Sequence, residues 1–203
     1  MRRLFMTKQQ LVWLLLFAGP GLLIGCRSAP QWEEKMAPYF AALEATDGSV
    51  RPLVERGSPE EAAALQLFKD VFLQFDEAAL RQGITNLYAE SVYFHDTLVE
   101  LHTAAEVEAY FLRSLEAAAE CTFDIVDIAE NDGNYYIRWT MTLVLNRYPN
   151  DPPNISKGMT HLRFDENGQI IFHQDYWDTA HLYQQLPVVG GLIRWVNRQI
   201  EKP

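Results

Sequence analysis

The period of the hydrophobic pattern changes near residue 120, and this change constrains the fold more than any other feature of the chain. Upstream of it, apolar residues recur at spacings of three and four, which predicts a helix whose single apolar stripe contains Leu65, Phe68, Phe72, Phe75 and Ala79. Downstream, apolar and polar residues alternate in four segments bounded by turn residues, which predicts strands at 121–128, 135–145, 156–164 and 170–177. Helices followed by an antiparallel meander indicate an α+β fold.

The sequence around residue 58 is typical of a helix start. Ser58 is placed to cap the first free amides, Pro59 suits the first helical position, and Glu61 is placed to complete a capping box. Patterns further along predict a short helix through 87–88, a short strand at 92–96 and a third helix at 104–118. The predicted globular domain therefore begins at residue 58.

The N-terminal residues are typical of a leader followed by a tether. Arg2, Arg3 and Lys8 precede an apolar run, 11–24, that is too short to span a bilayer, which needs about 20 apolar residues. The segment Leu23–Cys26 that ends this run resembles the lipobox of bacterial lipoproteins. This resemblance implies that Cys26 carries a lipid and holds the protein outside the cytoplasm, at the cell membrane or the outer membrane. An uncleaved membrane anchor is the alternative.

These boundaries divide the chain into four parts. We expect a lipoprotein signal at 1–26, a tether at 27–57 with one helical patch near 32–45, a pocket domain at 58–178 and a C-terminal helical extension at 179–203. The extension contains a predicted helix, 192–202, with basic residues on one side and Trp195 beside its apolar residues. Such a helix either lies in a membrane interface or, more commonly, packs on its own domain or on a dimer partner.

Composition excludes several partners and cofactors. The chain has 17 basic and 27 acidic residues; without Arg2, Arg3 and Lys8, 14 basic residues face 27 acidic ones, a net charge of −13. Such a charge repels phosphate backbones, so we expect no nucleic-acid partner. If Cys26 is lipidated, Cys121 is the one remaining cysteine, so no internal disulfide and no cysteine zinc site are expected. We interpret Cys121 as a small core residue and expect no metal and no cofactor.

The last predicted strand places polar groups on a face that should be buried. His173 and Asp175 alternate on one face with Ile171 and Trp177, and such groups need partners or a cavity beside them. We expect a mostly aromatic pocket for a small apolar molecule, lined by Tyr93, His95, Trp139, Met141, His173, Asp175 and Trp177. The alternative is structural: His95 and Asp175 hydrogen-bond and hold two strands in register.

Three segments carry a resemblance to a known family: 87–96, the Asp132-Gly133 turn before Trp139-Thr140, and 162–178. Across about 58–177 the chain resembles the SnoaL-like branch of the nuclear-transport-factor-2-like (NTF2-like) superfamily. The resemblance implies a cone in which a curved, mixed or antiparallel sheet wraps around a long N-terminal helix, with a pocket between them. Because this fold hosts isomerases, cyclases, hydrolases and non-catalytic binders, it implies no single activity.

The resemblance also implies roles for individual residues. A carboxylate on the last strand serves as the acid or base of these enzymes, and Asp175 lies at that place. The epoxide hydrolases of the branch position water with a Tyr and an Asn on the first strand, where this chain has Tyr93 and His95. Their central-strand Arg and second Asp are replaced here by Trp139 and Met141, so epoxide hydrolysis in that form is not expected.

Two functions remain open at this stage. The first is an enzyme in which Asp175 removes a proton next to a carbonyl while Tyr93 or His95 donates a hydrogen bond to the oxyanion. The second is a non-catalytic module that binds a ligand or assembles with a partner. A row of polar residues on the other face of the third predicted strand, Arg138, Thr140 and Thr142, suits a homodimer formed through the sheet.

Overall fold

A computed structural model describes residues 32–184 and 189–200. The chain divides into two compact units, 1–41 and 42–203. The helical patch expected near 32–45 is present as helix α1 (Trp32–Ala45). The expected leader and Cys26 lie outside the described residues, so the lipoprotein signal stays a prediction. Within the described ranges, none of the helices is both long enough and apolar enough to cross a bilayer.

Three further helices precede or interrupt the sheet: α2 (Pro59–Gln74), α3 (Glu77–Leu87) and α4 (Ala104–Ala117). Ser58 caps α2 as expected, accepting a hydrogen bond from the Glu61 amide at 3.1 Å. The predicted capping box is wrong in its second half, because the Glu61 carboxylate accepts from the Gly57 amide instead, at 2.6 Å. A complete capping box starts α4, where Thr103 and Glu106 bond to each other's backbone amides.

Six strands form one sheet: β1 (Tyr88–His95), β2 (Glu100–Thr103), β3 (Ala118–Asn131), β4 (Asn134–Leu145), β5 (Asn154–Phe164) and β6 (Ile170–Trp177). The order across the sheet is β2-β1-β6-β5-β4-β3. Neighbouring strands are antiparallel except β1 and β6, which are parallel. The predicted meander is confirmed as β3 to β6, and the expected α+β fold with a curved mixed sheet over helices is confirmed with it.

Two differences from the predicted elements concern the first strands. The strand expected at 92–96 begins earlier, at Tyr88, directly where α3 ends. Its pairing with β6 shifts register between Tyr88 and Tyr93, so a period-two pattern does not run through the whole strand. The short edge strand β2 was not predicted, because its four residues carry too little alternation to be recognised.

The β3–β4 connection is the turn that its residues predict. Asp132 and Gly133 have positive φ values of 48° and 73°, between the paired residues Asn131 and Asn134. Positive φ at both central residues defines the type I′ hairpin turn, whose twist matches that of the flanking strands and which favours Asp-Gly. This turn sets the long β3–β4 register on which the cavity wall depends.

The inner face of the sheet packs against α2 and α4 through aromatic side chains. Phe72 contacts Phe111 and Phe123 edge to face, with ring centroids 5.6 Å and 6.2 Å apart. Phe75 ends α2 with a left-handed backbone (φ 34°), and its ring also packs on Phe123, at 5.0 Å. Burying this ring offsets the strain of a non-glycine residue at positive φ. The helix therefore stops where the cavity begins.

The outer face of the sheet is partly covered within the second unit. Arg163 of β5 is buried there, and its guanidinium donates to the Leu43 carbonyl at 2.6 Å and to the Thr46 hydroxyl at 3.1 Å. After β6 the chain forms α5 (Ala180–Gln184) and α6 (Val189–Ile200). The helix predicted at 192–202 is therefore present in the described residues but begins earlier, at Val189.

Candidate functional site

A cavity of about 230 Å³ lies between the inner face of the sheet and helices α2 and α4. Its wall is almost entirely apolar and includes Phe75, Phe111, Phe123, Trp139, Met141 and Trp177. A second, smaller cavity of about 40 Å³ lies next to it, lined by Phe68, Phe72, Thr160 and His173 among others. Asp175 and Trp139 border both cavities, so this carboxylate stands where the two spaces meet.

Asp175 is held by hydrogen bonds from two neighbouring side chains. Thr160, its partner across the β5–β6 pairing, donates to Oδ1 of Asp175 at 2.5 Å. His173, two residues away on the same face, bonds the same oxygen through Nε2 at 3.0 Å. The Trp139 indole in turn donates to the Thr160 hydroxyl at 2.8 Å. Two donors on Oδ1 therefore fix the carboxylate in the cavity wall.

The neighbours of His173 determine its tautomer. An ionised Asp175 can only accept, so Nε2 of His173 carries the proton that it donates. Nδ1 then accepts from the Tyr88 hydroxyl, 2.8 Å away. Burial, together with the negative charge of Asp175, raises the pKa of Tyr88 well above its ordinary value, so this hydroxyl keeps its proton. Tyr88, His173 and Asp175 thus form one directed chain of hydrogen bonds.

A second carboxylate, Asp96, also reaches the cavity. Its Oδ1 accepts from the backbone amides of Leu98 and Val99 at 2.9 Å and 3.0 Å, and its Oδ2 accepts from the Tyr110 hydroxyl. Burial and the nearby Asp96 raise the pKa of Tyr110. The Trp177 indole donates to the backbone carbonyl of Asp96 at 2.8 Å. Asp96 therefore makes the turn contacts expected of a residue at a strand end, and it also orders part of the cavity wall.

Most donors in the described wall of the cavity are already engaged. The hydroxyls of Tyr110 and Ser114 and the indoles of Trp139 and Trp177 all donate to protein acceptors. The remaining donor is the thiol of Cys121, which lines the cavity as well as touching the core. Burial raises the pKa of Cys121 to about 12, so the thiol is protonated at neutral pH and does not act as a thiolate nucleophile.

The structure brings five of the seven predicted pocket residues together. Asp175, Trp139, Met141 and Trp177 line the main cavity, and His173 lines the smaller one. It does not bring Tyr93 or His95 to them. Neither Tyr93 nor His95 is among the described residues that line the two cavities. The expectation that they share a pocket with Asp175 is therefore not met.

The parallel pairing of β1 with β6 explains this correction. Phe94 lies beside His173 on the inner face, which leaves Tyr93 and His95 beside Phe172 and Gln174 on the outer face. There the Tyr93 ring stacks on Phe172, with centroids 5.2 Å apart. His95 Nδ1 pairs with the Gln174 amide at 2.9 Å, not with Asp175 as the structural alternative proposed.

Sequence reasoning missed four residues of the site: Tyr88, Asp96, Tyr110 and Thr160. Tyr88 falls at a predicted helix end, and Asp96 falls at the end of the predicted strand 92–96, where turn bonding is the usual role of an Asp. Thr160 faces Asp175 only through the β5–β6 register, which a strand pattern does not reveal. Within 32–184 and 189–200, the structure groups no three His, Cys, Asp or Glu side chains in a way that could hold a metal ion.

Comparison with solved structures identifies the fold. An NTF2-like protein of unknown function from Burkholderia pseudomallei K96243 has a TM-score of 0.53 at 18% identity, over 62% of this chain and 98% of that chain. A candidate SnoaL-like polyketide cyclase from Shewanella putrefaciens CN-32 has a TM-score of 0.51 at 15% identity, over 64% and 86%. A candidate hydroxylase from Streptomyces galilaeus has a TM-score of 0.51 at 16% identity, over 64% and 98%.

Comparison with sequences identifies the family. No protein of curated function matches this chain. Residues 69–173 match the SnoaL-like domain, and this range runs from α2 to β6 and contains most of the cavity wall. Because the matched residues make up just over half of the sequence, the chain belongs to the family of SnoaL-like domain proteins.

Proposed function

We propose that this SnoaL-like domain binds a small apolar molecule in its cavity and that Asp175 accepts a proton from it. The reaction would be a cofactor-independent isomerisation or cyclisation, or a hydrolysis in which Asp175 takes the proton from the attacking water instead. One observation carries the proposal: a carboxylate with one oxygen anchored by Thr160 and His173 stands in a mostly apolar wall. Its other oxygen, Oδ2, has no hydrogen-bond partner among the described residues, so its lone pairs are available to a ligand.

The same reasoning disfavours Asp96 as the base. Both of its oxygens are occupied, Oδ1 by two backbone amides and Oδ2 by the Tyr110 hydroxyl. Taking a proton would cost Asp96 at least one of these charge-assisted hydrogen bonds. Asp175 loses none when Oδ2 is protonated, because its two donors bond the opposite oxygen. Protonation therefore breaks fewer hydrogen bonds at Asp175 than at Asp96.

The steps follow from these positions. Oδ2 of Asp175 removes a proton from a carbon next to a carbonyl, and the electron pair moves to the carbonyl oxygen of the substrate. That oxygen needs a donor. Tyr110 is a protonated hydroxyl in the cavity wall, and it would exchange Asp96 for the substrate oxygen. Return of the proton to a different carbon gives an isomer, and attack by the carbanion on a second carbonyl gives a ring.

The size of the cavity limits the substrate. Its volume of about 230 Å³ corresponds to roughly eight water molecules at the volume each occupies in the liquid. A molecule of on the order of ten non-hydrogen atoms fills such a space. The apolar wall favours a hydrocarbon body with one polar group directed at Asp175.

The test of this role separates catalysis from binding. In deuterated buffer, small cyclic ketones should exchange protons next to the carbonyl faster with the protein than without it. Asp175→Asn should slow this exchange about 10²–10⁴-fold, the usual contribution of a positioned base. Ligand binding should persist, because the amide keeps the shape of the side chain. Nuclear magnetic resonance measures the exchange, and Asp124→Asn, an exposed carboxylate on β3, is the matched control.

A non-catalytic binding module is the second candidate. It is favoured by the observation that the described hydroxyl and indole donors of the cavity wall already bond to the protein, which leaves none free for an oxyanion. In that case the ketone exchanges its protons at the same rate with the wild-type protein, with Asp175→Asn and in buffer alone. Native mass spectrometry of protein purified from membranes would then show a bound apolar molecule that both forms of the protein retain.

The proposed localisation of the protein follows from its sequence. Cys26, at the end of the lipobox-like segment, would carry a covalent lipid and hold the domain at the cell membrane or the outer membrane. The acidic body is poorly suited to anionic lipid, so the covalent lipid would supply most of the attachment. An apolar substrate that partitions into the bilayer would then be concentrated near the cavity. A homodimer formed through the outer face of the sheet, near Arg138, is a further proposal.

A further inference from the structure

The last helix, α6, exposes an apolar face. At 3.6 residues per turn, Val189, Leu192, Val196 and Ile200 fall within an arc of about 80°, and Trp195 borders it. These side chains are solvent-exposed, with Leu192 61% and Ile200 76% accessible. Water-exposed residues of this size in one stripe indicate a surface that is covered in the functional state.

The contact that holds α6 to the domain lies on another side of the helix. Gly190 fits so closely against α5 that a Cβ there would lie 2.0 Å from the Gln184 carbonyl oxygen. One turn later, the Arg194 guanidinium donates to the same oxygen at 2.5 Å. Because Gly190 and Arg194 lie outside the apolar arc, docking on α5 leaves that arc free. The more usual alternative, in which the apolar residues pack on the domain itself, does not describe this helix.

The charge of α6 points to the kind of surface that covers it. Within Val189–Ile200 the charged residues are Arg194 and Arg198, and the segment contains no acidic residue. The whole chain, by contrast, has a net charge of −10. A helix with cations on one side, an apolar arc on the other and a Trp between them is suited to the interface of an anionic bilayer.

The position of α6 relates this surface to the cavity. Leu182 of α5, two residues before the Gln184 carbonyl that holds α6, lines the cavity wall. The exposed Leu98, after β1, lines the same cavity. One apolar residue of the cavity wall, Leu182, therefore belongs to the helix that holds α6.

We propose that α6 lies in the interfacial region of an anionic lipid bilayer and directs the cavity toward the lipid, from which the apolar ligand enters. The delivery part of this proposal rests on the proposed function of the cavity, whereas the lipid contact stands on α6 alone. It is also independent of Cys26, because the contact concerns the opposite end of the chain.

Trp195 reports on the contact directly. The full-length protein is mixed with vesicles of phosphatidylcholine and phosphatidylglycerol that contain brominated acyl chains, which quench a tryptophan inserted among them. The emission of Trp195 is obtained by subtracting the spectrum of Trp195→Phe from that of the wild type. This subtraction cancels the signal of the other four tryptophans. We expect a blue-shifted, quenched Trp195 emission that weakens in pure phosphatidylcholine and at high salt.

Variants locate the contact. We expect the double variant Leu192→Gln, Ile200→Gln to need at least about tenfold more lipid for half-maximal Trp195 quenching. The reason is that two large apolar side chains no longer enter the bilayer. Ile155→Gln, which changes a residue of β5 that is 68% exposed, should leave it unchanged. Arg198→Gln should reduce the dependence on phosphatidylglycerol.

Two results would overturn the proposal. The first is Trp195 emission that vesicles do not change. The second is a dimer in sedimentation experiments that the double variant dissociates while vesicles leave Trp195 unquenched, which would assign the apolar face to a second copy. Proton exchange on a water-soluble ketone tests the cavity separately. It should be unchanged in the double variant, so a failure at α6 is distinguishable from a failure at Asp175.

Discussion

At the scale of single residues, the sheet separates two sets of buried polar groups. On the inner face, His173 completes a hydrogen-bond chain from Tyr88 to Asp175. On the outer face, His161 is buried too, and its Nε2 bonds the Asn134 side-chain oxygen at 2.8 Å. Both histidines are held by neighbours, but only the first chain ends at a cavity. A buried histidine by itself therefore does not mark a site.

His161 should make stability depend on pH. Burial, together with the nearby Arg163 and His173, lowers the pKa of His161 to about 4, from an ordinary value of 6.5. Between pH 6.5 and 4 the unfolded chain binds a proton that the folded chain does not, so the free energy of unfolding falls as the pH falls. The contribution is on the order of 3 kcal/mol and is lost over that window.

The prediction is checked with His161→Gln, whose amide can still donate to Asn134. Urea unfolding at pH 7 and pH 4.5 gives the pH dependence of each protein, and the carboxylates contribute equally to both. We expect the wild type to lose more stability on acidification than the variant does. Equal losses in the two proteins would show that His161 does not titrate between these values.

At the scale of elements, the cavity wall depends on how closely β4 and β5 approach. Trp139 lies directly opposite Gly158 in the register, and a Cβ at Gly158 would come within 2.4 Å of the Trp139 ring. A glycine therefore stands where the indole crosses the neighbouring strand. This close approach allows the indole to lie flat along the wall and to bond Thr160, the donor to Asp175.

Gly158→Ala should therefore affect both stability and the site. Overpacking costs about 1–3 kcal/mol of unfolding free energy, and displacement of Trp139 should weaken ligand binding and proton exchange. Chemical denaturation and the exchange assay measure the two effects. Gly191→Ala is the control, because a Cβ there meets no atom within 4 Å and alanine favours a helix by roughly 0.5–1 kcal/mol. A Gly158→Ala protein as stable and active as wild type would contradict this account.

At the scale of the whole molecule, the expected arrangement is a pocket domain held near a membrane from both ends of the chain. The Cys26 segment would act at the N-terminal end and α6 at the other. Neither attachment calls for a spanning helix. A lipid on Cys26 would hold the chain at the bilayer through its acyl chains, and a basic amphipathic helix would add interfacial binding at the other end of the chain.

Lipidation of Cys26 can be observed in cells. Grown with an alkynyl fatty acid, bacteria that express the full chain should label the wild-type protein and not Cys26→Ser. The wild-type protein should also sediment with membranes and resist extraction by high salt. Cys121→Ser, which changes the other cysteine, should label like wild type. Labelling of Cys26→Ser, or the absence of labelling in both proteins, would refute the lipobox interpretation.

Local sequence patterns were enough to predict most of the helices and strands and one face of the site. Local periodicity predicted the β3–β6 meander, Asp-Gly predicted the β3–β4 turn, and strand alternation placed Asp175 and Trp177 on one face. These features depend on neighbours within a few residues, and local patterns record such contacts directly.

Long-range strand pairing and helix docking determine which side chains meet. Only the parallel pairing of β1 with β6, two strands far apart in the chain, assigned Tyr93 and His95 to the outer face. Only the β5–β6 register brought Thr160 to Asp175. The docking of α6 through Gly190 likewise determined that its apolar arc faces away from the domain. A period-two or 3.6-residue pattern states which residues share a face, whereas long-range pairing alone determines what that face contacts.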